Sequence, residues 1–141
     1  MKITAVKSHV LGCDMPEELG YSQQYYARRS AHLVEVTTDE GVTGWGECFG
    51  PGTIALANKG IVEKVIAPMV LGADPIDRDV LWHKVYNLMR DHGQKGMPLQ
   101  ALSGVDIALW LYVLVKVTPR QPPVKQFHAP NLNNSVPLTH F

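Results

Sequence analysis

The segment AHLVEVTTDEGVTGWGECFG, residues 31–50, holds two short runs of alternating apolar and polar side chains on either side of a turn. The alternation predicts strands over His32–Thr37 and Val42–Cys48, because successive side chains of a strand point to opposite faces. The TDEG stretch between them predicts a tight turn in which Gly41 takes a positive φ. This segment therefore predicts a β-hairpin.

The residues before this hairpin predict one more strand and a long loop. KITAVKSHVLG, residues 2–12, alternates and is β-branched, so the first 50 residues predict a three-stranded antiparallel sheet. The segment CDMPEELGYSQQYYARRS, residues 13–30, is polar, aromatic-rich and without a clear period, which predicts a loop too long for a tight turn. Loops of this length are often functional or mobile.

After residue 50 the apolar spacing changes to that of helices. The first predicted helix begins with Thr53 as its cap and ends at Gly72, and the second begins with Asp74 and Pro75 and ends at Gly93. The third covers MPLQALSGVDIALW, residues 97–110. Strands followed by helices predict an α+β fold, a three-stranded sheet followed by a three-helix bundle. The predicted core side chains are Val80, Leu81, Val85, Leu88, Met89, Leu99, Leu102, Val105, Ile107, Leu109, Trp82 and Trp110.

Composition excludes several classes of partner and location. The 141 residues have a formal net charge of zero, which gives no general attraction to nucleic acid or to an anionic membrane. The longest uncharged apolar run, residues 107–115, is shorter than the about 20 residues that a membrane-spanning helix needs. The first ten residues do not resemble a signal peptide. We therefore expect a cytoplasmic protein with Cys13 and Cys48 as free thiols, a disulfide between them being the alternative.

Candidate functional residues cluster in the predicted loop rather than in a catalytic motif. No histidine pair has metal-binding spacing, and the stretch GWGECFGPG, residues 44–52, lacks the context of a phosphate-binding loop. Glu47 is interpreted as a solvent-facing strand residue, and His83 and His92 as surface histidines. Aromatic and basic side chains crowd the loop: Tyr21, Tyr25, Tyr26, Arg28 and Arg29. Two interpretations stay open, a cover for a polar or anionic ligand and a solvated loop held by its aromatics.

Three motifs in order resemble a known family. LVEVTTDEGVTGWGEC (33–48), APMVLGADPIDRDVLWHKVYN (67–87) and QALSGVDIALW (100–110) are similar to the N-terminal domain of the mandelate racemase/muconate lactonizing enzymes of the enolase superfamily. The first loop looks most like that of the members that dehydrate or cycloisomerise sugar acids and their lactones. The resemblance covers residues 1–110 and implies a capping domain there, with residues 111–141 as an irregular, non-family tail.

The resemblance implies that the domain is a lid over a catalytic barrel. Two mobile loops would close over a carboxylate or acid-sugar substrate, here with Tyr21, Tyr25, Tyr26, Arg28, Cys48, Phe49 and Gly50 as the capping residues. In the full-length family, the barrel supplies the base and the ligands of Mg²⁺. A barrel needs about 200 residues or more, and 31 follow Trp110 (141 − 110). We therefore expect no catalytic residue, metal ligand or cofactor in this chain, and no activity from it alone.

The pattern departs from the family after Trp110. An acid, a small residue and a basic residue are expected where the chain has Leu111, Leu114 and Val115, and Asp106 is the last acid. We interpret this as a shift of reading frame or an interrupted gene product, which translation in the other two frames tests. The alternative is a stand-alone binding or oligomerisation module, which could also pair with a separately encoded barrel. In a lid without its barrel, the barrel-facing surface is expected to stay apolar and exposed and to promote self-association. A small enzyme using Glu47, Cys48 or the histidines is a third reading, without supporting geometry.

Overall fold

The sheet and helices follow the predicted α+β order in the computed structural model, which describes residues 1–117. The strands are β1 (Ile3–Tyr21), β2 (Gln24–Thr38) and β3 (Thr43–Cys48), antiparallel in the order β1-β2-β3. The predicted hairpin is confirmed, with Gly41 at φ 75° in its turn. The predicted fold class is therefore confirmed, while the tail prediction for residues 118–141 lies outside the described part of the chain.

The predicted long loop is a β-hairpin instead. β1 and β2 continue as a two-stranded ribbon to a turn at Ser22, which has φ 54°. The ladder is interrupted between Asp14 and Leu19, where β1 carries extra residues as a bulge. Between residues 13 and 31, none of the side chains that the structure describes belongs to the hydrophobic core. The loop prediction was wrong because a ribbon without a core face shows no alternation, and the turn lacks the glycine that marks most two-residue hairpins.

The helices pack on one face of the sheet. The first helical run consists of α1 (Ile54–Ile61), a π-helical turn (Val62–Ile66) and α2 (Ala67–Val70). A 3₁₀ turn (Pro75–Asp77) leads into α3 (Arg78–Met89), another (Arg90–His92) follows it, and α4 spans Met97–Val117. Asp74 caps as predicted by accepting from the Ile76 N–H, whereas Thr53 makes no side-chain cap bond. The predicted stop at Gly93 is confirmed.

The core lies between the sheet and these helices. Val34 and Val36 of β2 are buried in one core cluster with Val62 and Ile66 of the π-helical turn. Burial of such a side chain stabilises a fold by about 1.5–3 kcal/mol. On α3 the buried side chains are Leu81, Val85 and Met89, whereas Val80 and Leu88 are exposed, contrary to prediction. A helix packed against only one neighbouring layer buries a narrower stripe than its apolar residues alone suggest.

Helix α4 meets β3 almost backbone to backbone. A Cβ added to Gly46 would overlap the carbonyl oxygen of Gly104, and one added to Gly44 would overlap that of Ala108. The helix runs seven residues past the predicted domain boundary at Trp110, so residues 111–117 are helical rather than irregular. Ile107 and Trp110 are 46% and 43% exposed, contrary to their predicted core positions, because the opposite side of α4 faces the sheet.

Helix α4 is also long and apolar enough, over Met97–Val115, to cross a membrane by length and composition. Its inner side chains are nevertheless buried in the core, with Ala101 and Ala108 fully inaccessible. The core helix of a soluble protein passes the same test of length and composition, and 39% of this segment is buried inside the structure.

Candidate functional site

Two segments far apart in the sequence enclose one hollow. We call residues 13–29, the exposed β1–β2 ribbon, the arm, and residues 48–54 the glycine loop. Between them lies a hollow of about 1020 Å³. Of the predicted capping residues, six line it: Tyr21, Tyr26, Arg28, Cys48, Phe49 and Gly50. Tyr25 does not; it points away and packs over Gly20, with 72% of its surface exposed.

The arm brings aromatic and cationic groups to the hollow. The rings of Tyr21 and Tyr26 meet edge to face with their centroids 6.3 Å apart. Arg28 follows Tyr26 on the same face of β2, and its Nε is buried without a hydrogen bond, 3.7 Å from the exposed Asp14 carboxylate. Arg29 also lines the hollow. Guanidinium groups in such a place favour anionic or hydroxylated ligands.

Hydrogen bonds from two sides shape the glycine loop, one from α1 and one from β2. Asn58, buried on α1, donates from Nδ2 to the Phe49 carbonyl (2.7 Å) and to Gln100 Oε1 (3.1 Å). The Gly52 N–H donates to Ser30 Oγ at 2.6 Å. Gly52 has φ 57°, a conformation that side-chain-bearing residues seldom adopt. The loop is therefore fixed at both ends by the domain itself.

One residue that lines the hollow, Cys48, is buried. Cys48 Sγ lies 3.8 Å from the Ala101 carbonyl oxygen, and burial raises the pKa of this thiol to about 11. Across the ladder lies His32, fully buried with no hydrogen bond to either ring nitrogen. Burial, reinforced by the nearby Lys59 charge, lowers the pKa of His32 from its ordinary value. Both cysteines are free, as predicted.

The sequence missed Ser30 and Glu47 as members of the site. Both line the hollow, although Glu47 is exposed on its strand as predicted. Ser30 lies on the same face of β2 as Tyr26 and Arg28, at spacing of two. The spacing of two residues could have placed Ser30 beside Tyr26 and Arg28. It indicates a shared face, however, only once the segment is recognised as a strand.

The described residues do not form a metal site. Within residues 1–117, no three His, Cys, Asp or Glu side chains come together in a group that could hold a metal ion. The Mg²⁺ of the resembled family therefore does not fit this part of the chain, and no chemical step through it is assigned to these residues. His83 and His92 are exposed, as expected.

Comparison with known proteins identifies relatives along most of the chain. Residues 15–119 match the family model for the N-terminal domain of mandelate racemase / muconate lactonizing enzyme. The D-galactarolactone cycloisomerase of Agrobacterium fabrum is 42% identical over 110 residues, which are 78% of this chain and 28% of that protein. The L-rhamnonate dehydratase of Saccharopolyspora erythraea is 37% identical over 92 residues, which are 65% of this chain and 22% of that protein.

A solved structure shares the fold. The crystal structure of a racemase from Streptomyces coelicolor with bound magnesium superposes with a TM-score of 0.75 at 25% identity, covering 81% of this chain and 32% of that one. The chain thus spans about a quarter of the length of the curated relatives it matches. The family match runs nine residues beyond Trp110 (119 − 110), and the predicted boundary at residue 110 stays a prediction. The chain belongs to the mandelate racemase/muconate lactonizing enzyme family of the enolase superfamily, and the part described is its N-terminal capping domain.

Proposed function

We propose that the arm and the glycine loop form the lid over the active site of an enzyme that acts on a sugar acid or its lactone. The observation that carries this proposal is the hollow of about 1020 Å³, which joins two segments that the sequence separates by 18 residues (48 − 30). Its lining suits a hydroxylated carboxylate, because Arg28 and Arg29 offer charged donors and Tyr21 and Tyr26 offer hydroxyl groups.

The relatives support the proposed reaction class. Those named above are a galactarolactone cycloisomerase and a rhamnonate dehydratase. In a full-length enzyme, a barrel would supply the base and the Mg²⁺ ligands, and Mg²⁺ would stabilise the negative charge formed when a proton leaves the carbon next to the carboxylate. The residues of this chain would bind the substrate, orient it and exclude water. We expect the enzyme to be cytoplasmic and to need neither nucleic acid nor a membrane.

A chimera tests the lid function. Residues 1–110 replace the equivalent domain of the Agrobacterium cycloisomerase, and turnover of galactarolactone is measured with Mg²⁺. We expect activity, and we expect Arg28→Gln to lower kcat/KM about tenfold or more, mainly through KM, because a charged hydrogen bond to substrate is lost. Arg90→Gln, at an exposed position away from the hollow, is the matched control. A folded, active chimera indifferent to Arg28→Gln contradicts the proposal.

The isolated chain provides a second test. Purified and supplied with Mg²⁺ and galactarolactone, it should show no turnover, because the described residues carry no metal site. Measurable Mg²⁺-dependent turnover would contradict the assignment of catalysis to a barrel.

The second candidate, a stand-alone oligomerisation module, is favoured by the outer side of α4. Ile107 and Leu111, one turn apart, are 46% and 42% exposed, next to the partly exposed Trp110 ring. Exposed apolar patches promote association. Light scattering separates the candidates: a defined oligomer that persists on dilution favours the module, and progressive aggregation favours a domain that lacks its barrel.

A further inference from the structure

The β2–β3 ladder ends where the hollow begins. Its last pair is His32 with Cys48, and beyond it β3 turns away into the glycine loop. Ser30 lies two residues before His32 on β2, toward the arm, and its backbone is still paired with Gly12 of β1. Here a side-chain hydrogen bond replaces the backbone pairing between β2 and β3. Ser30 Oγ accepts a hydrogen bond from the Gly52 N–H at 2.6 Å.

Ser30 therefore lies between the buried interior, the hollow and the glycine loop. On the same face of β2, His32 belongs to the buried interior and Arg28 belongs to the hollow. The arm has no core residues beneath it, and Ser30 is at its base. The glycine loop is held from the α1 side by Asn58 and from the β2 side by Ser30. The hydrogen bond from Gly52 to Ser30 links the glycine loop to the strand that forms the arm.

We propose that Ser30 is a positioning residue that couples the arm to the glycine loop, so that the two halves of the lid are stable together and open together. A partly buried hydrogen bond of this kind contributes enough to change a local opening equilibrium severalfold. Its use in catalysis rests on the proposed lid function, whereas the coupling itself is a property of this chain. The two are therefore tested separately.

Amide hydrogen exchange of the full chain tests the coupling without any substrate. In Ser30→Ala, we expect exchange of the Gly52 amide to accelerate about fivefold, and that of the arm's ladder amides around Tyr26 to accelerate about twofold or more. Core amides of Val34 and Val36 should be unchanged, which distinguishes lost coupling from general destabilisation. Ser30→Thr keeps the hydroxyl and should restore both rates.

The matched control is Ser103→Ala, which removes a serine hydroxyl that donates to the Leu99 carbonyl on α4 (2.8 Å), away from the lid. It should leave the lid rates unchanged. Acceleration confined to Gly52 would show a local bond without coupling and would overturn the proposal, as would unchanged exchange at Gly52. If Ser30→Ala behaves as expected while the chimera described above is inactive, the coupling stands and the lid function fails.

Discussion

The guanidinium carbon of Arg78 lies 3.6 Å from the centroid of the Trp110 ring, so the start of α3 covers the middle of α4. The same guanidinium contacts Asp79 (2.6 Å) and Asp106 (3.6 Å). Its side chain is only 17% exposed, so water screens these contacts incompletely. Although Trp110 lies outside the core, its ring is therefore partly covered by the Arg78 side chain.

Removing this contact should weaken the packing of α3 on α4. A double-mutant cycle of Arg78→Ala and Trp110→Ala, measured by urea unfolding, should give a coupling energy of about 0.5–1 kcal/mol, the range for a partly exposed cation–π pair. Arg90→Ala with Trp110→Ala is the control pair and should be additive. A coupling indistinguishable from that control would contradict the assignment.

Gly46→Ala should destabilise the domain by about 1–3 kcal/mol or more, because the new methyl group overlaps the Gly104 carbonyl and the backbone must shift. Gly60 provides the opposite case. It lies in α1 with open space around its Cα, so Gly60→Ala should stabilise by about 0.5–1 kcal/mol. Thermal and urea unfolding of both variants measure these effects. Equal effects would mean that β3 and α4 are not in backbone contact.

Stability should fall as the pH drops below about 6.5, the ordinary pKa of histidine, because of His32. The folded state lowers the pKa of His32 by burial, so the unfolded state binds a proton first and is favoured by acid. His32→Phe should flatten the dependence of the unfolding free energy between about pH 7 and pH 5. His83→Gln, on the exposed face of α3, should not. A slope that persists in His32→Phe would assign it to other groups.

The two thiols should react at very different rates. Cys13 is exposed, whereas Cys48 is 1% exposed and its pKa is raised to about 11, so little reactive thiolate is present near neutral pH. A chromogenic disulfide reagent at about pH 8 should titrate one thiol quickly and the second only on unfolding. Cys13→Ser should abolish the fast phase. Rapid labelling in Cys13→Ser would place Cys48 at the surface.

Asp74→Ala should cost about 1 kcal/mol, because the Ile76 N–H loses its cap. Thr53→Ala is a paired test, since Thr53 occupies the corresponding position of the first helix without a cap bond. We expect its effect on the unfolding free energy to be within about 0.5 kcal/mol. Similar losses in both variants would contradict the observed difference between these caps.

Prediction from sequence succeeded where burial imposes a period. His32–Thr37 alternates because one face of β2 is packed under helices, and Asp74, Pro75 and Gly93 mark helix ends by local chemistry. It failed where those constraints are absent. The arm has no face packed in the core, and the exposure of Val80 and Trp110 depends on which neighbour each helix meets. At the candidate site, the two predicted segments line one hollow and their role stays a prediction. The contact of Ser30 with a residue 22 positions away is visible only in the structure.

The structure of the arm affects how the sequence of such a lid can change in evolution. Its strands are held by backbone pairing and none of its side chains supports the core, so substitutions there carry little cost in folding. Tyr26 or Arg28 can therefore be exchanged for other residues while the ribbon keeps its shape. The arm is the part of the domain where a new ligand preference can be acquired with the rest of the fold untouched.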